Sequence, residues 1–189
     1  GAEGSWSATQ AVRTAPRPGP ANFDVVFVAD TGMIGREDGL ATGTKQVIDE
    51  IARLDPLLVL LGGDYAYYNT DKRYGTLDNT IDAWFQQMQP VAVKAPMMPT
   101  YGNHEMFLGE AYEPWAARFP TPEGFDRRQN YSFNVGNVHF ISIMAAQSSK
   151  GNTPQANLDW IEREPSFEPL RANGRLEEVL APARRKFED

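Results

Sequence analysis

Three short apolar runs, each halted by a loop of glycine and oxygen-bearing side chains, limit what this chain can fold into. Val25-Val-Phe-Val28 stops at Asp30-Thr-Gly32, and Leu57 to Leu61 stops at Gly62-Gly-Asp64. Met97-Met98, followed by Pro99-Thr-Tyr101, leads into Gly102-Asn-His-Glu105. Brief β-branched and aromatic runs of this kind predict strands buried on both faces. Between them, Val47, Ile48, Ile51 and Leu54 make one apolar helical stripe within Thr44 to Leu54, and Ile81, Trp84, Phe85 and Met88 make another. Strand, helix, strand, helix, strand predicts a right-handed parallel α/β sheet.

Sites in open parallel sheets form at the carboxyl ends of strands. Asp30, Asp64 and Asn103 are therefore expected to converge, although 34 and 39 residues separate them along the chain. Two carboxylates and an amide oxygen in one cleft would repel or shift pKa strongly unless a cation lay between them. The chain has no cysteine and only two histidines, His104 and His139, so a metal centre within it must lean on oxygen ligands. Such donors suit hard or borderline cations. Gly32, Gly62, Gly63 and Gly102 answer the need for close backbone approach. A lone Asp-x-Gly after a strand is usually a turn, and Gly-Gly-Asp alone says little more. All three loops in order, each at a strand end, is what points to metal.

The rest of the chain organises around this core. Residues 1–22, rich in Ser, Pro and Gly, read as an extended arm without the regions of a signal peptide. Tyr131-Ser-Phe133 and Val138 to Ile143 flank Asn134-Val-Gly-Asn137 and predict a hairpin, with His139 inside a strand as a core or hairpin residue. A helix is expected from Pro154, carrying Leu158, Trp160 and Ile161. Residues 23–164 form the domain so far, and 165–189 read as a divergent charged tail punctuated by Pro165, Pro169 and Pro182. A length of 189 residues with 41% apolar content fits one globular domain. The net charge of −7 argues against nucleic acid or an anionic membrane as partner. No apolar run is long enough to span a bilayer. Gly39 to Lys45 has the wrong spacing for a phosphate-cradling loop, and Leu108 stands where a His-Glu-x-x-His motif needs its second histidine.

Asp30-Thr-Gly32, Gly63-Asp-Tyr-Ala-Tyr67 and Gly102-Asn-His-Glu105 resemble the first three motifs of the calcineurin-like metallophosphoesterases. Tyr67, and the later stretch Tyr131 to Ser142, resemble the purple acid phosphatase branch. The resemblance covers about residues 23 to 164 and implies half of the usual layered α/β/β/α sandwich, the N-terminal half of the domain only. It implies a dinuclear centre of ferric iron plus divalent zinc, manganese or iron, and attack of a metal-bound hydroxide on a small phosphate monoester. Asp30 would bind the first metal, Asp64 would bridge, Tyr67 would ligate iron as a phenolate, and Asn103 would offer its carbonyl oxygen to the second metal. His104, with Asn103 beside it, would contact the substrate, stabilising phosphoryl oxygens or protonating the leaving alkoxide. Tyr65 and Tyr68 are expected to pack or form the rim, and Asp71, Lys72 and Arg73 to form a solvated loop or line the cleft mouth.

The family also needs three histidines in its second half, and this chain has none to spare. It could be a fragment, a mis-spliced or truncated product, or a degenerate member, expected to bind metal weakly and to be poorly active alone. The alternative is a non-catalytic phosphoesterase-like module. Asn130-Tyr-Ser132 fits a glycosylation acceptor, and the resemblance implies a secretory route.

Overall fold

The computed structural model describes residues 4, 8–106, 112–122, 130–144 and 155–184. Leu108, Pro154 and residues 185–189, which carry part of the reading above, lie outside the described residues. Strands β1 (Val25–Val28), β2 (Leu58–Leu61) and β3 (Met97–Pro99) make a parallel sheet in the order β1-β2-β3. Helix α1 (Thr44–Leu54) crosses from β1 to β2, and α2 (Leu77–Ala92) crosses from β2 to β3. The apolar stripes close the core. Ile48 and Ile51 of α1 and Ile81, Trp84 and Met88 of α2 join Val59 and Leu61 in one buried cluster, with Val26 and Val28 packed against it. Tyr65, Trp84, Trp115 and Phe119 fill its centre, with ring centroids 5.0–6.3 Å apart.

β1 is not buried on both faces, as its composition predicts. The register puts Val25, Phe27, Leu58, Leu60 and Met98 on the face opposite the core, and Phe27 is 69% exposed. β1 is an edge strand, and that face is only partly covered. Arg13 and Ala15 of the arm, with Phe133 and Val135, enclose a cavity of about 230 Å³ over Leu58 and Met98. Arg13 is fixed there by its bonds to the carbonyls of Asp55 and Pro56.

Two short helices, α3 (Asn103–Met106) and α4 (Tyr112–Ala116), follow β3. Then β4 (Tyr131–Val135) and β5 (Val138–Ser142) form an antiparallel hairpin. β4 runs further than expected, to Val135, while β5 stops at Ser142, one residue early: Asn134 pairs with His139, and only Gly136 and Asn137 turn, with Gly136 at φ 59°. The hairpin docks on the end of β3 through Tyr131, whose hydroxyl donates to the Pro99 carbonyl at 2.8 Å, and through Thr100 and Ser142, whose hydroxyls are 2.7 Å apart. The glycosylation reading of Asn130 is corrected here. Asn130 is fully buried and its Oδ1 accepts the Met144 N–H at 2.7 Å, so no glycan fits on it in the folded chain.

From Pro165 to Arg184 the described chain is mostly helical. A 3-10 turn at Pro165–Phe167 leads into α6 (Glu168–Ala172) and α7 (Leu176–Arg184), after α5 (Gln155–Arg163). Pro165 and Pro169 lie in the first turns, where a missing N–H removes no helical bond. Leu176 and Leu180 bury against Ile161, with Ile143, Trp160, Phe167 and Leu170 around them.

Candidate metal centre

Four non-glycine residues have left-handed φ among the described residues, and three of them are Asp30 (55°), Asp64 (55°) and Tyr67 (54°). The fourth, Asp55, closes α1. Each such residue costs about 1–3 kcal/mol, and such strain collects where side-chain direction matters.

Backbone bonds hold the strand ends together past the sheet. Gly62 N–H donates to Val28 O at 2.8 Å, Asp30 N–H to Gly63 O at 3.1 Å, and Thr100 N–H to Leu61 O at 2.8 Å. The first loop is fixed from α2: the Trp84 indole donates to Thr31 Oγ1 at 2.9 Å, and Gln87 Nε2 donates to Gly32 O at 2.8 Å. Thr31 in turn donates to Tyr65 O at 3.2 Å.

Glu105 binds the second loop to the third. Its carboxylate is fully buried and accepts N–H bonds from Asp64 (2.9 Å), Tyr65 (2.8 Å) and Gly102 (2.9 Å). Burial pushes its acid up to about 7, against the pull of those N–H donors. The approach is close enough to need glycine. A Cβ on Gly102 would stand 2.0 Å from Asp64 Oδ1, and one on Gly63 (φ 89°) would stand 2.3 Å from Gly102 N.

Two pairs of the predicted site residues then meet. The Tyr67 hydroxyl donates to Asp30 Oδ1 at 2.8 Å, and the His104 N–H donates to Asp64 Oδ1 at 3.1 Å. The Tyr67 and His104 rings lie 4.2 Å apart at 60°. Burial, then the bond to Asp30, then the charges of Asp30 and Asp64 push the Tyr67 phenol well above its usual range, while Arg36 opposes them. His104 Nδ1 is 2.8 Å from Asn69 Oδ1, an acceptor, so Nδ1 carries the hydrogen. Asn103 opens α3 between Gly102 and His104, with its side chain exposed. His139 lies elsewhere, bonded to Asn134 and 4.0 Å from Glu164.

Tyr65 is fully buried in the aromatic core. Tyr68 donates to Gly75 O at 3.3 Å and carries Lys72 over its ring. The solvated-loop reading fails for Asp71, which is fully buried and paired with Arg73 at 2.9 Å. Arg73 also donates to the Ile34 and Gly35 carbonyls, so it is spent on structure, not on the cleft mouth. Sequence position alone gives Glu105 of the third motif no role and gives no sign of Asn69 or Arg36. A glutamate next to a strand-end histidine, in a chain with so apolar a core, is the signal that could have found Glu105.

The donors present are two carboxylates, a phenol and an exposed amide, an all-oxygen set that fits a hard cation. A second cation finds less. Among the described residues no group of three or more carboxylates, imidazoles and thiols could hold a metal.

The parallel sheet carries Asp30 and Asp64 in the loops at the carboxyl ends of β1 and β2. The model of the Calcineurin-like phosphoesterase family matches residues 23–187, and the chain belongs to that family. Purple acid phosphatase 23 of Arabidopsis thaliana is 30% identical over 145 residues, which cover 64% of this chain and 30% of that protein. Purple acid phosphatase 15 of the same plant is 26% identical over 177 residues, covering 80% and 32%. The structure of purple acid phosphatase PPD1 from yellow lupin seeds shares the fold, with a TM-score of 0.64 at 24% identity over 84% of this chain and 30% of that one. The chain thus spans about a third of the length of these relatives. No described helix is long and apolar enough to cross a membrane.

Proposed function

We propose that this chain carries the first three ligand loops of a metal-dependent phosphomonoesterase, with Asp30, Asp64, Tyr67 and Asn103 as metal ligands. What supports the reading most is the coincidence of left-handed backbone at Asp30, Asp64 and Tyr67 with the bond from Tyr67 to Asp30. Ferric iron would belong with Asp30 and Tyr67, a divalent zinc, manganese or iron with Asn103, and Asp64 between them. Bound cations lower the pKa of a water they hold to about 7 and neutralise phosphoryl charge. Asp64 is held ready by Glu105, which fixes its backbone, and by the His104 N–H on its Oδ1. His104 would hold the phosphoryl oxygens or give a proton to the leaving alkoxide, its ring oriented by Asn69. The substrate class is a small phosphate monoester.

Turnover by the chain alone should be low, because the chain has only two histidines, His104 assigned to the substrate and His139 bonded to Asn134 away from the site. The test is p-nitrophenyl phosphate hydrolysis with added iron, zinc or manganese. Slow, metal-dependent turnover that disappears in Asp64→Asn is expected; robust turnover, or turnover indifferent to Asp64→Asn, contradicts the reading. The lack, among the described residues, of any group of three or more carboxylates and imidazoles able to hold a metal favours a second reading, a non-catalytic module. It is established if the chain shows no bound metal and no turnover in the assay.

A further inference from the structure

Arg36 belongs to the first loop, yet its guanidinium carbon stands 4.2 Å from the centre of the Tyr67 ring, over its face. Nη2 donates to Thr70 Oγ1 at 2.6 Å and pairs with Asp38 at 2.5 Å. The side chain is 5% exposed, and Nε has no hydrogen-bond partner among the described residues. A buried N–H without an acceptor is costly, so the Nη2 bonds alone do not satisfy the guanidinium. Stacking of this planar cation on the aromatic face adds a contact whose flat geometry an ammonium does not reproduce.

Pinning the first loop to the second does not account for Arg36, because Arg73 already does that through the Ile34 and Gly35 carbonyls at 2.9 Å each. What Arg36 adds is the ring. Tyr67 has three fixed neighbours: the guanidinium over its face, the His104 imidazole 4.2 Å away, and Asp30 on its hydroxyl. Two turns set the arginine in place, with the Arg36 N–H on Met33 O at 3.0 Å and the Gly39 N–H on Arg36 O at 3.0 Å.

We propose that Arg36 is a positioning residue that clamps the Tyr67 ring and so keeps its hydroxyl on Asp30, aligned for the metal. The metal part rests on the proposed function above; the clamp itself does not. The test uses the full metal-free chain with labelled tyrosines, the Tyr67 ring signals being assigned by their loss in Tyr67→Phe. Arg36→Met should move those signals and leave the Tyr131 signals unchanged. It should also weaken ferric binding by about tenfold or more, the usual size of an outer-shell effect, and shift the visible phenolate band. Arg36→Lys, which keeps the charge near Asp38, should fall between and serves if Arg36→Met does not fold. Unmoved Tyr67 signals in a folded variant overturn the clamp. Moved signals with unchanged ferric affinity and band overturn its bearing on the metal. A wild-type chain without a ferric band, or a band that survives Tyr67→Phe, overturns the reading of Tyr67 as a ligand and leaves the ring signals to judge the clamp.

Discussion

The Tyr67 hydroxyl donates to Asp30 Oδ1 at 2.8 Å, joining the first and second strand-end loops across 37 positions of sequence. Both residues hold left-handed backbones, φ 54° and 55°. The chain accepts strain at both ends of this bond, which fixes a phenol against a carboxylate at the edge of the sheet.

Tyr67→Phe should keep the fold, since the ring and its contact with Arg36 remain. Loss of one hydrogen bond should cost about 1 kcal/mol in urea unfolding. The same variant should give no visible band with ferric iron. A cost several times larger would mean that the hydroxyl supports the fold more than the site.

Glu105→Gln should be far more damaging. The carboxylate accepts three backbone N–H bonds from two loops, and an amide nitrogen would point a donor at donors. A loss of about 2–3 kcal/mol is expected, since these are bonds to a charged group. Denaturant unfolding checks it, and a change below 1 kcal/mol contradicts the role given to Glu105.

Gly102→Ala isolates geometry from chemistry. The added Cβ would stand 2.0 Å from Asp64 Oδ1 and must displace it. A stability loss of about 1–3 kcal/mol, the range for overpacked sites, is expected. Metal binding should fall by more than that loss explains, and an unchanged metal affinity would show that Asp64 is not a ligand.

Much of this was legible in the sequence, for a definable reason. The periodicity of Val47, Ile48, Ile51 and Leu54 marks α1, although only Ile48 and Ile51 are buried and Val47 and Leu54 are exposed, and the apolar run Val25 to Val28 coincides with β1. Burial periodicity survives in a single sequence. Face coverage does not: Phe27 looks like a core residue and is exposed because β1 is an edge. The start of α2 lay four residues before its first apolar marker, behind Thr76, whose hydroxyl accepts the Asn79 N–H at 3.2 Å. Pro165 and Pro169 read as breaks because the sequence does not say whether a proline opens a helix or ends one. In the site, Asp30 and Asp64 were readable from strand-end position. Arg36 and Asn69 were not, because they act from loops whose course only the folded chain shows.

Alkaline pH should loosen the hairpin. Burial pushes the Tyr131 phenol up, with the Ser142 bond opposing. Its folded value lies above its unfolded one, so its contribution is complete below about pH 10 and is lost as pH rises beyond that, by up to about 1.4 kcal/mol per pH unit. Tyr131→Phe should flatten unfolding free energy against pH above pH 10. An unchanged slope contradicts this.

The most direct measurement is calorimetric titration of the chain with ferric and divalent ions, beside Asp30→Asn and Asp64→Asn. The expected result is weak, saturable binding by the wild-type chain that each substitution abolishes without unfolding it. Binding of equal strength in all three proteins would contradict the account, because the cation would then be held somewhere other than between these loops.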